Sequence, residues 1–292
     1  MRYAVPGDST VSRTTDRLKS ACSAALARSL HEAGLHGRLP GTRDAILTYH
    51  AVGDPGRYGN VSVERLRRDI EYLCRHYQVV DLPAVLEPSD EKRIALAFDD
   101  GYECFFHEVL PVLEAFEVPA TLFVPVGFVG QSRPEFAYRF FRLPAEVPSF
   151  NDIEANADIE APAPGVMSWT QLQAVADNPL VTIGNHTLTH PDLESVTDRT
   201  TLESEVRTAQ NRLREELDVV VDRFSYPFGR YTESARALVA ETHDCAVTST
   251  PGLVESPRAT ERYTLPRIRT HLPVAEVRWE LTDLRWWLGS RT

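Results

Sequence analysis

The chain has 292 residues, 42% of them hydrophobic and 25% charged, with a formal net charge of −11. That is enough chain for one large α/β domain or two ordinary ones with a sizeable core. The acidic balance works against nucleic acid as a partner, and no apolar run approaches the ~20 residues of a membrane-spanning helix.

Four cysteines, Cys22, Cys74, Cys104 and Cys245, form no C-x-x-C pair. They suggest neither a zinc knuckle nor a disulfide framework, and are expected as mostly buried thiols. The first twenty residues lack an apolar leader, so the expected location is the cytoplasm. Composition is silent on oligomeric state.

Residues 1–13 are expected to be disordered, and 14–33 (TTDRLKSACSAALARSLHEA) read as an amphipathic helix stopped by Gly34 and Gly37. Residues 1–41 thus form a tail and helix, and the main domain runs over 42–292. Its first strand is AILTY (45–49), with His50 at its end. Residues 62–77 carry Leu66, Ile70, Leu73 and Tyr77 at helical spacing, with Ser62 as N-cap. A short strand at 78–80 precedes IALAF (94–98), an apolar run suited to a strand buried on both faces. A helix over 105–116 and the strand ATLFVP (120–125) follow.

Residues 130–166 break this rhythm and read as an insertion or lid, with aromatics and arginines at 133–142. A helix at 168–176 with Ser168 as N-cap, a strand at 180–184 and a long helix at 200–217 come next. A short strand at 223–225, a helix at 233–241, strands at 245–248 and 265–269, and a helix at 274–288 complete the chain. Trp287 is expected in the core with the apolar face of that last helix. The alternation predicts a mainly parallel sheet, open or closed into a barrel. In a barrel the chemistry gathers at the C-terminal strand ends.

Those ends carry the polar residues. They include His50, the pair Asp99-Asp100, Asn185-His186 with His190 four residues on, the run Tyr226-Pro227-Phe228-Gly229, and Arg267 with His271. Two imidazoles four residues apart, with a carboxylate from another strand end, suit a metal ion that keeps coordination positions open for water. A second carboxylate beside such an ion can take a proton from that water. A plainer account of one aspartate is an N-cap for the helix at 105–116. Asn185, Thr187 and Asp192 are expected to support or cap the site, and His76, His107 and His243 read as ordinary helix residues.

The chain resembles the polysaccharide deacetylases (carbohydrate esterase family 4), metal-dependent de-N-acetylases of amino sugars. The resemblance covers about residues 45–270. It rests on ILTYHAVGDP (46–55), IALAFDDGY (94–102), VPATLFVPVGFVG (118–130), MSWTQL (167–172), IGNHTLTHPDL (183–193), FSYPFGRY (224–231) and LPRI (265–268). It implies a distorted (β/α) barrel, TIM-barrel-like, with fewer than eight regular strands. It implies Asp99 as general base, and Asp100, His186 and His190 as ligands of a divalent metal, usually Zn2+, with Co2+, Ni2+ or Mn2+ as substitutes. A backbone N–H near Tyr102 or Phe228 would hold the oxyanion formed when activated water attacks the acetamide. A histidine would then protonate the departing amine.

The chain departs from the family pattern at two places. Ser225 stands where many relatives have an arginine that orients the base, and Arg267 is the candidate replacement. No standard block supplies the proton donor, for which His271 and His50 are the candidates. The implied substrate is an N-acetylated glycan, glycolipid or sugar conjugate, with a cytoplasmic precursor of surface polysaccharide favoured. Hydrolysis of a non-sugar linear amide and a non-catalytic metal- or carbohydrate-binding barrel are the competing readings.

Overall fold

The computed structural model describes residues 23–35, 44–53, 61–130, 165–254 and 261–289. The expected tail at 1–13, the first part of the N-terminal helix, and nearly all of the insertion expected at 130–166 lie outside the described residues. The chain divides into two compact units, Thr42–His271 and a smaller one of Met1–Gly41 with Leu272–Thr292.

In the larger unit the strands are Ala45–Tyr49 (β1), Gln78–Val80 (β2), Arg93–Phe98 (β3), Ala120–Val124 (β4), Val181–Asn185 (β5), Arg223–Ser225 (β6), Cys245–Val247 (β7) and Ile268–Arg269 (β8). All pair in parallel, in the order β7-β6-β5-β4-β3-β1-β8, and β2 lies along the first half of β3. One segment touches both edges of the sheet. Leu265 bridges Val247 of β7, while Ile268 and Arg269 pair with Leu47 and Thr48 of β1. The sheet therefore curls into a distorted (β/α) barrel, as the family resemblance implied. The distortion lies in β2, β6, β7 and β8, which are only two or three residues long.

Every residue of β1, β3 and β4 is buried, as their unbroken apolar runs require. Ile46, Ala95, Ala97, Phe123, Cys245, Val247 and Leu265 meet in one core cluster. Phe123 reaches across because Gly184 leaves room: a Cβ there would sit 2.4 Å from the ring.

The helices begin where the sequence caps them. Ser62 accepts from Arg65 N at the start of Val63–His76, which buries Leu66, Ile70 and Leu73. Ser168 and Gln171 form a capping box at Trp169–Ala176. Two helices contain a wider π turn that the sequence reading missed, Phe105–Val109 before Leu110–Phe116 and Ser204–Thr208 between Arg199–Glu203 and Ala209–Leu217.

Other expectations need correction. The helix expected at 274–288 is two, Val274–Glu280 and Asp283–Gly289. Thr282 breaks it, its hydroxyl donating to Trp279 O and accepting from Arg285 N. Trp287, expected in the core, is 47% exposed. Among the described cysteines only Cys245 is fully buried; Cys104 is half-buried and Cys74 exposed.

Candidate active site

Side chains alternate along a strand, so Asp99 continues the inward series of Ala95 and Ala97. Its N–H still donates to Tyr49 O at 3.0 Å, one residue beyond β3. Asp100 would then face outward, but its φ of 78° turns the chain, and Gly101 follows at 62°. Both carboxylates are therefore buried beside one another, at 3% and 0% exposure. Neither serves as the helix cap. The helix starts at Glu103, and Cys104 already has helical φ and ψ.

His186 follows β5 on the inward side, in step with Gly184. Its Nδ1–H donates to Ser225 O at 2.7 Å, which leaves the Nε2 lone pair for the site. The chain then makes a tight loop rather than a helical turn, with left-handed φ at Thr187 (70°) and His190 (56°). Two side chains hold that loop, as expected of Asn185 and Thr187. Asn185 Oδ1 accepts from Thr187 N at 2.9 Å, and Thr187 Oγ1 accepts from His190 N at 3.0 Å. Asp192 pairs with Arg230, whose guanidinium lies 5.7 Å from the Phe228 ring centre.

The loop brings His186 Nε2 within 3.2 Å of His190 Nε2, and each lies 3.5 Å from Asp100 Oδ1. An ion bound tetrahedrally at about 2.0–2.1 Å needs ligand atoms about 3.3–3.4 Å apart, so the triangle fits such a group. Neither oxygen of Asp100 has a hydrogen-bond partner, although both are buried, an orphaned state that a cation would relieve. Burial opposes charge on Asp100, but His186 and His190 outweigh it and hold the carboxyl well below its ordinary range. Burial also opposes charge on His186, yet Asp100, Asp99 and the Ser225 carbonyl raise it; burial prevails at His190 and lowers it.

Asp99 is held from the opposite side. Arg267, 1% exposed, donates from Nη1 to Asp99 Oδ1 at 2.8 Å and from Nε to Thr248 O at 2.7 Å. Ser225 Oγ lies 3.4 Å from Asp99 Oδ2. Burial pushes the Asp99 carboxyl up, but the Arg267 guanidinium leads the forces that hold it below its ordinary value.

The structure separates the two candidate proton donors. His50 Nε2 is 4.0 Å from Asp99 Oδ2, and its side chain is 26% exposed. His271 is held low by burial, by His50 and by Arg269. Around Tyr102, Gly101 and Glu103 bond across to Met167 and Gly165. Phe228, at φ 60°, sets its ring 5.2 Å from that of His190, and Pro227 is buried beneath. Gly229 is required there, since a Cβ would lie 2.2 Å from Ser249 N. Tyr226 departs from expectation. Its ring is fully buried against Phe224 and Tyr231, so its side chain does not line the barrel mouth.

Two supporting residues were missed in the sequence. His243 is no ordinary helix residue. It follows Glu233–Thr242, is 3% exposed, and its Nε2 lies 3.2 Å from Asn185 Nδ2. Glu205 bonds to the loop between the two histidines. Its signal was its place beside Leu202, Val206 and Ala209, a charged residue on an apolar stripe.

Fold and site together describe a parallel barrel with a buried Asp-His-His cluster and an arginine-held aspartate at its C-terminal rim. The family model for polysaccharide deacetylase matches residues 87–244, more than half of the chain, and the chain belongs to that family. The class that fold and site define is therefore that of the polysaccharide deacetylases. A curated relative, the poly-beta-1,6-N-acetyl-D-glucosamine N-deacetylase of Escherichia coli K12, is 30% identical over 152 residues, covering 48% of this chain and 20% of the relative. The chain thus spans about a fifth of the length of the curated relatives it matches. The Streptococcus pyogenes deacetylase PplD, solved with acetate, aligns at TM-score 0.60 and 20% identity over 79% of this chain and 93% of its own. IcaB from Ammonifex degensii aligns at 0.63 and 18% over 84% and 99%. At such identities the likeness is one of fold.

Proposed function

We propose that this chain is a metal-dependent de-N-acetylase of amino sugars, with a divalent ion held by Asp100, His186 and His190. The observation that carries the reading is the buried triangle of three ligand atoms, with the arginine-held Asp99 beside it. Zinc suits the imidazole and carboxylate donors, and Co2+, Ni2+ or Mn2+ could take its place. When bound, the ion supplies Lewis-acid polarisation and makes water acidic. Asp99, kept ionised by Arg267, accepts a proton from the water that attacks the acetamide carbon. A backbone N–H near Tyr102 or Phe228 donates to the carbonyl oxygen as it gains charge. His50 gives a proton to the departing amine, and acetate leaves. His271 is the poorer donor, because its surroundings disfavour its charged form. The curated relative makes β-1,6-linked N-acetylglucosamine the first substrate to test.

Elemental analysis tests the metal site. Reconstituted chain should retain stoichiometric zinc through gel filtration, and His186→Ala should lose it. Undiminished zinc in that variant would remove His186 from the ligand set.

A further inference from the structure

Glu205 lies on the π turn Ser204–Thr208 and is 5% exposed. Its Oε2 accepts from Leu188 N at 2.9 Å and Thr189 N at 2.8 Å, and its Oε1 accepts from Thr189 Oγ1 at 2.6 Å. One carboxylate therefore gathers three donors from the two residues next to His190. The segment it grips contains left-handed φ at Thr187 and at His190 itself. Such conformations cost about 1–3 kcal/mol each and persist only where the surroundings impose them. Asn185 holds Thr187, Thr187 Oγ1 holds His190 N, and Leu188 O accepts from Gly127 N; Glu205 takes the amides of Leu188 and Thr189 between them. The π turn widens the helix at this point, and such bulges often mark functional sites.

We propose that Glu205 is a positioning residue for the metal centre. Its bonds run to Leu188 and Thr189, so it acts through the backbone that carries His190. His186 leaves β5 directly and is seated by Ser225 O, so His190 is the ligand that moves when this clamp is lost. The inference rests on the metal-site reading above, and its test reads binding rather than turnover.

The experiment is zinc affinity by chelator competition on folded, metal-free full-length chain, with the metal-free melting temperature measured beside it. Glu205→Ala should weaken zinc about 10–100-fold, the range for groups that orient metal ligands. Glu205→Gln keeps the size and an acceptor for the two amides, and should recover most of that loss. Zinc affinity within twofold of the parent chain in folded Glu205→Ala would overturn the proposal. A loss tracking only the fall in melting temperature, unrescued by glutamine, would do the same.

Should the alanine variant not fold, Glu205→Gln and the exposed Thr189→Val serve instead. Each should weaken zinc a few-fold, and the pair together by less than the product, because they share one bond. No change in either contradicts the clamp. If the parent chain binds no zinc while His186→Ala behaves identically, the metal-site reading fails first and this inference with it.

Discussion

Asp99 and Asp100 are adjacent in sequence, yet their surroundings differ. Asp99 stays on the strand's inward face and meets a guanidinium; Asp100 turns through a left-handed φ and meets two imidazoles. Arg267 comes from the far end of the chain, 168 positions from its partner. Ser225 remains at the aspartate through its hydroxyl. This arrangement predicts a pH effect with a definite sign. Burial alone would raise the Asp99 carboxyl, and Arg267 is the leading force against that. In Arg267→Met the base should therefore be protonated at higher pH, and the acidic limb of kcat/KM should move upward. A limb unmoved in Arg267→Met, with activity retained, would show that the guanidinium does not govern the base.

At the scale of elements, the strand parity places the site. His50, Asp99, His186 and Ser225 follow β1, β3 and β5 or end β6 on the inward side, above a core that needs Gly184 to admit Phe123. Gly184→Ala should destabilise the chain by about 1–3 kcal/mol through overpacking, and Phe123→Leu in the same chain should relieve part of it. Chemical denaturation of the two variants measures this; an additive double change would refute the close packing.

The buried His243 gives a second prediction. Burial, with Arg214 next, pushes it from its ordinary 6.5 to about 3. Between those values the unfolded chain binds the extra proton, so stability is present above about pH 6.5 and falls as pH drops toward 3. From pH 6.5 to 5 this amounts to about 2 kcal/mol. Urea unfolding of His243→Gln should show a shallower acid dependence, and an equal slope in parent and variant would contradict it.

The strands and their end residues were legible because AILTY, IALAF and ATLFV are continuous apolar runs with polar residues at their C-terminal ends. Ser62 and Ser168 announced their helices in the same way. The π turns were not legible, since Phe105–Val109 and Ser204–Thr208 carry ordinary helical composition. Tyr226 was misplaced although strand parity sets it outward: it follows the inward Ser225 and packs with Phe224. Arg267 was legible as a candidate, but its contact with Asp99 depends on barrel closure through 265–269, a long-range event.

At the scale of the whole molecule, everything placed at the site comes from the unit Thr42–His271. No helix among the described residues is long and apolar enough to cross a membrane. The curated relatives are about five times longer than the segment matched here, so the activity of this chain must be measured on this chain. The direct test is acetate release by full-length, zinc-reconstituted protein from β-1,6-linked N-acetylglucosamine oligomers, with Asp99→Asn alongside. The account predicts release that depends on zinc and falls about 10²–10⁴-fold in Asp99→Asn. Zinc bound by the parent chain with no acetate released, or release undiminished in Asp99→Asn, would contradict it.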